Sequence, residues 1–199
     1  MRVTAGRFKG RTLIDRPLEH IRPTADMVKQ AIFNKLQFEL PQAKVLDLFC
    51  GTGALGIEAL SRGAKEVVFA DLDARSTKLT KNNLSKLGNP PEARVLNGDY
   101  AATIEKLAGQ KFDIIILDPP YKSGVYEDCL KRLFDKKLLA DDGVIVCEQE
   151  KTIDIDFSLF DLVDHTQIIF WEIKIKWQCT DIATFWKFIL RNIFNAQSI

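Results

Sequence analysis

Val45-Leu46-Asp47-Leu48-Phe49-Cys50-Gly51-Thr52-Gly53-Ala54-Leu55-Gly56-Ile57-Glu58-Ala59-Leu60 decides the fold. An apolar run breaks into a glycine-rich turn and then resumes at helical spacing, which predicts strand, loop, helix. Gly51, Gly53 and Gly56 fit G-x-G-x-x-G, a spacing that lets backbone approach a ligand at the open end of a strand and point amide donors at it. The glycines alone are compatible with a nicotinamide or flavin site, or with a tight turn.

Asp47 shifts the balance. Dinucleotide folds run from the strand into the first glycine without an acid, because a carboxylate there repels a pyrophosphate at the helix N-terminus. Here a carboxylate stands four residues before Gly51. A negative charge at a strand end suits a ligand with a cationic amino-acid portion, and S-adenosylmethionine carries both an ammonium and a sulfonium.

The pattern after Pro41 alternates: strands over 43–49, 66–71, 93–98, 112–118 and 143–148, helices over 54–62, 74–87, 100–108 and near 124–135. Runs such as Val67-Val68-Phe69-Ala70 and Phe112-Asp113-Ile114-Ile115-Ile116-Leu117 are short, rich in β-branched residues and not strictly alternating, as strands covered on both faces of a parallel sheet are. A doubly wound α/β architecture follows, with ligands beyond the carboxyl ends of the strands. Asp47, Asp71, Asp99 and Asp118 all fall at such ends.

The 199 residues are 46% hydrophobic, enough for one good core. Net charge is +1, from 28 Lys and Arg against 27 Asp and Glu, so a nucleic-acid partner must be argued from local clustering. Residues 1–22 supply it: Arg2, Arg7, Lys9, Arg11, Arg16 and Arg22 meet only Asp15 and Glu19. Residues 2–14 alternate apolar and basic around Gly6 and Gly10, as a small hairpin or arm does, and Phe8 among Arg7, Lys9 and Arg11 combines stacking surface with phosphate-seeking charge. A solvated edge ribbon is the bland alternative. Arg22-Pro23-Thr24 then opens a helix with Thr24 as its expected N-cap, and Lys29 and Asn34 on its solvated face.

Cys50, Cys129, Cys147 and Cys179 form no CxxC pair and have no histidine at ligand spacing, so neither a metal nor a disulfide framework is expected. With no N-terminal apolar leader and no apolar segment of about 18 residues, a cytoplasmic protein without a membrane span is expected.

Asp71, 24 positions after Asp47, can accept both hydroxyls of an adenosine ribose, with Leu72 as an apolar face for adenine; Asp73 suits a helix cap. Asp99 can accept from the adenine amino group or cap the next helix. Asp118-Pro119-Pro120-Tyr121 carries the chemistry. Two prolines stiffen the backbone, so the Asp118 side chain and the Pro119 carbonyl become rigid acceptors for a nucleobase amine, and Tyr121 a stacking platform. No Ser-His-Asp arrangement at a nucleophile elbow competes.

Together Arg22-Pro23-Thr24, Phe33-Asn34-x-Leu36, Asp47 to Gly56, Asn83 and Asp118-Pro119-Pro120-Tyr121 resemble the bacterial 16S ribosomal RNA guanine-N2 methyltransferases of the RsmD type, over about residues 2–150. The resemblance implies a mostly parallel, seven-stranded Rossmann-like sheet whose last strand is antiparallel, with S-adenosylmethionine as donor. It implies a guanine of small-subunit ribosomal RNA, or of an assembly intermediate, as substrate. The cofactor set expected is Asp47, Cys50, Gly51, Gly53, Asp71, Leu72, Asp99 and Tyr100; the catalytic set Asp118, Pro119 and Tyr121; the RNA set Arg7, Lys9, Arg11, Arg22 and Thr24; and no metal. Residues 1–40 are expected to form the basic arm and helix, 41–178 the methyltransferase domain and 179–199 an atypical apolar tail, in a monomer or a dimer through that tail. Alternatives are an N6-adenine DNA or protein-amide methyltransferase and a non-catalytic RNA-binding assembly factor.

Overall fold

The computed structural model describes residues 1–15, 23–119, 125–149 and 167–172. Among these residues, five helices, α1 (Pro23–Lys35), α2 (Ala54–Ser61), α3 (Ala74–Lys86), α4 (Tyr100–Lys106) and α5 (Tyr126–Asp135), surround six strands. The strands are β1 (Lys44–Asp47), β2 (Glu66–Asp71), β3 (Ala93–Asn97), β4 (Phe112–Leu117), β5 (Leu139–Gln149) and β6 (Gln167–Glu172). They lie in the order β3-β2-β1-β4-β5-β6, every pair parallel. The seventh, antiparallel strand that the resemblance implies is not among the described residues, and the tail lies outside them.

Period-2 alternation divides the strands between two cores. Val45, Val67, Phe69, Ile114 and Val144 face α2 and α1; Leu46, Val68, Ile115, Leu117 and Ile145 face α4 and α5. Val3 and Leu13 of the N-terminal segment, Ile32 and Phe33 of α1 and Leu36 just beyond it join the first core, so the arm and α1 pack on the sheet's own layer. Gly56 permits the close approach: a Cβ there would meet Phe69 at 2.3 Å.

Three expectations change. Helix α1 begins at Pro23, whose missing N–H suits a first helical position, so Thr24 lies inside the first turn rather than at the cap. Strand β5 starts at Leu139 instead of 143: Phe112 pairs with Leu139 and Ile114 with Val144, so the Asp-Asp-Gly stretch is absorbed as an irregularity within the strand. Lys29 is buried, not solvated, and lies 3.5 Å from the fully buried Glu58.

Candidate functional site

The order in which successive strands are added reverses between β1 and β4, the switch point at which doubly wound sheets open a crevice beyond their carboxyl ends. Asp47 pairs with Phe69 of β2 on one side and Ile116 of β4 on the other. Asp71 and Asp118 each lie two residues past those partners, so the three acids crown adjacent strands, β2, β1 and β4.

The glycine loop leaves β1 at this crevice and is held from behind. Gly51 and Gly53 adopt φ of 54° and 79°, where a side chain is strained. The Asp71 carboxylate accepts from the Gly51 amide at 2.9 Å with one oxygen and from the Asp73 amide at 2.8 Å with the other. The Thr80 hydroxyl donates to the Gly51 carbonyl at 3.1 Å, and the Asn83 amide to the Thr52 carbonyl at 2.9 Å. A Cβ on Gly53 would lie 2.8 Å from Thr80 Cγ2, whereas one on Gly51 would meet nothing within 4 Å. The loop is braced against α3 and open in front.

Asp47 is 1% exposed. One of its oxygens accepts from the Gly56 amide at 2.9 Å in the first turn of α2, so it braces the loop from below. Leu72 is 72% exposed beside Asp71, an unusual position for a leucine and a ready apolar platform. Asp99 caps α4 by accepting from the Ala102 amide at 2.7 Å; of its two readings, the cap is the one observed. Asp73 caps α3, as expected, through the Arg75 amide. Tyr100 donates to Asp128 at 2.8 Å, which raises its hydroxyl pKa, and its ring lies 5.9 Å from that of Phe49. Burial and the charge of Asp47 push the Cys50 thiol pKa far up, so Cys50 packs against Thr80 as an inert wall rather than a nucleophile.

Asp118 is half-buried and Pro119 buried directly beyond β4. Tyr121 and Arg22 lie outside the described residues, as does the Thr24 side chain.

The N-terminal segment folds back on itself, with Val3 donating to Arg11 and Gly10 to Val3. Its turn packs against the C-terminal end of α2: Arg7 donates through its backbone to Ser61, and its guanidinium bonds Glu92 at 2.9 Å and lies over Phe8. Glu92 sits just before β3, at the amino edge of the sheet. Ile14, at the other end of the segment, bonds Asn83 beside the glycine loop. The segment therefore reaches from the amino edge of the sheet, where Arg7 meets Glu92, to α3 beside the glycine loop, with Lys9 and Arg11 exposed.

Glu58 anchors this arrangement. Its carboxylate accepts from the Thr4 amide and hydroxyl, the Ala5 amide and the Arg62 guanidinium, with Lys29 alongside. Lys29 also donates to the Arg2 carbonyl. The sequence reading missed Thr80, Glu58 and Lys29. One signal was available for Thr80: Ser76, Thr77, Thr80 and Asn83 form a polar stripe at helical spacing, and all are buried.

The family model described as "Conserved hypothetical protein 95" matches residues 1–174. The protein named "Ribosomal RNA small subunit methyltransferase D" of Haemophilus influenzae is 37% identical over 153 residues, covering 76% of this chain and 79% of the relative. Its namesake in Escherichia coli strain K12 is 37% identical over 152 residues, 75% of each. The chain belongs to this family. Among solved structures, "Putative methyltransferase yhhF from Escherichia coli" superposes on this member of the small subunit methyltransferase D family with a TM-score of 0.69 at 33% identity, covering 79% of this chain and 86% of that one. Among the described residues, no helix is long and apolar enough to cross a membrane, and no three His, Cys, Asp or Glu side chains group as metal ligands.

Proposed function

We propose that this protein transfers a methyl group from S-adenosylmethionine to the exocyclic N2 amine of a guanine in small-subunit ribosomal RNA. The observation that carries this reading is the crown of Asp71, Asp47 and Asp118 on three adjacent strand tips beside a glycine loop with open space at Gly51. Relatives named for small-subunit ribosomal RNA methylation support it.

The residues present fit the donor. Gly51 leaves room where a side chain would intrude, Asp71 keeps lone pairs beyond the two amides it accepts from, and Leu72 offers an apolar face. In this reading Asp71 receives the ribose hydroxyls and Leu72 the adenine, with Asp99 and Tyr100 at its edge. The loop amides and the buried charge of Asp47 face the methionine portion. When bound, S-adenosylmethionine supplies an electrophilic methyl on a sulfonium and leaves as the neutral thioether.

A guanine amine is a poor nucleophile because its lone pair is delocalised into the ring. Asp118 and the Pro119 carbonyl accept from its two N–H groups, favour the pyramidal nitrogen and stabilise the positive charge that grows as the N–C bond forms. Proline backbone at 119 and 120 keeps these acceptors fixed, and Tyr121 stacks on the base to hold it in line. The excess amine proton then leaves through Asp118. Lys9 and Arg11, with Arg7, Arg22 and the Thr24 turn, bind RNA phosphates.

The test is incubation with labelled S-adenosylmethionine and small ribosomal subunits lacking the modification, followed by nucleoside analysis. Label in N2-methylguanosine is expected; label in N6-methyladenosine, or on protein, overturns the assignment.

A further inference from the structure

One buried side chain touches both the arm and the cofactor loop. Asn83 on α3 is fully buried. Its oxygen accepts from the Ile14 amide at 2.6 Å; its nitrogen donates to the Ile14 carbonyl at 3.0 Å and to the Thr52 carbonyl at 2.9 Å. A carboxamide has two N–H donors, so both are committed, one to each partner. Toward Ile14 the amide imitates the edge of a β-strand; toward Thr52 it fixes the residue between the two left-handed glycines. Thr80, one turn earlier, holds the Gly51 carbonyl, so the loop rests on the same helix face that receives the arm.

We propose that Asn83 is a positioning residue that couples RNA binding to cofactor binding. The inference rests on the reading above, in which the arm binds RNA and the loop binds S-adenosylmethionine. A buried amide bonded on both sides cannot follow a shift of Ile14 without straining its bond to Thr52, nor the reverse. Each ligand that orders its own segment therefore lowers the cost of ordering the other, and linkage requires the effect to be reciprocal.

The experiment measures four affinities: S-adenosylhomocysteine with and without unmodified small ribosomal subunits, and the subunits with and without saturating S-adenosylhomocysteine. The wild type is expected to show the same tightening in both directions, about fivefold or more. Asn83→Asp keeps the acceptor and loses both donors, and is expected to bring the factor close to one. Ile14→Pro removes the arm's N–H and fixes its φ while keeping the carbonyl that accepts from Asn83. It is expected to leave S-adenosylhomocysteine binding alone within about twofold while reducing the coupling, which keeps the test open if Asn83→Asp folds poorly. Variants that lose affinity or melting temperature yet keep the wild-type factor overturn the inference, because a merely structural residue behaves so. A wild-type factor of one with both ligands bound overturns it while leaving the reaction class standing. Subunits that do not bind at all overturn both.

Discussion

The Asp71 carboxylate accepts a hydrogen bond from the Gly51 amide at 2.9 Å, so the acid at the tip of β2 also sets the shape of the glycine loop leaving β1. In the proposed reading its role is double: a receptor for ribose hydroxyls on one side and, as the bond shows, a brace on the other. Asp71→Ala removes both, and the loss of a charge-assisted acceptor weakens S-adenosylmethionine binding by about 1.5–3 kcal/mol. Isothermal titration measures it, and unchanged affinity removes Asp71 from the cofactor site.

Gly53→Ala forces a Cβ to 2.8 Å from Thr80 Cγ2 at a φ of 79°. We expect a stability loss of about 1–3 kcal/mol by chemical denaturation, together with weaker cofactor binding. Adding Thr80→Ser removes the clashing methyl but not the strained φ, so it restores part of the stability and not all of it. Full restoration would show that backbone strain contributes nothing there.

Burial raises the Glu58 pKa, but the hydrogen bonds from Thr4 and Arg62 and the charge of Lys29 together outweigh it and hold the carboxyl below its ordinary value of 4.5. A group with a depressed folded pKa contributes stability that is present above its unfolded value and lost as pH falls through the folded one. Stability should therefore drop on acidification below pH 4.5, with the N-terminal segment released as its Thr4 and Ala5 bonds weaken. Glu58→Gln is expected to lower stability at neutral pH and flatten that acid limb. Denaturant melts from neutral to strongly acidic pH provide the check, and an unchanged slope contradicts it.

Arg7, Lys9 and Arg11 are all exposed, but Arg7 is already paired with Glu92. Lys9→Ala with Arg11→Ala should reduce the salt dependence of RNA binding by about 0.7–0.9 in log–log slope for each phosphate no longer neutralised, leaving cofactor affinity alone. Arg7→Ala should change the slope less. Filter-binding titrations across salt concentrations decide this, and an unaltered slope in the double variant excludes the arm from RNA binding.

The alternation of strand and helix from Lys44 to Cys147 is legible in the sequence because both faces of these strands are covered, so apolar runs and glycine punctuation carry the whole signal. The acids at the strand tips are legible for the same reason: an aspartate ending an apolar run has nowhere to go but the carboxyl edge. Partnerships across the chain are not. Lys29 reads as a solvated helix residue, since nothing nearby reveals that Glu58, 29 positions later, meets it in the core. Asp99 reads equally as a cap or an adenine contact because both need the same residue at the same place, and only the structure shows its bond to Ala102. The start of β5 is hidden because Asp141-Asp142-Gly143 has turn chemistry yet runs on within the strand.

In the proposed reaction a stiff Asp118–Pro119 ledge activates an RNA amine beside a donor held by the neighbouring acids. Single-turnover methyl transfer by Asp118→Asn, with cofactor and small ribosomal subunits saturating, tests it most directly. Binding of both is expected within about twofold of wild type, with a transfer rate lower by about a hundredfold or more. A rate within about threefold of wild type would contradict it.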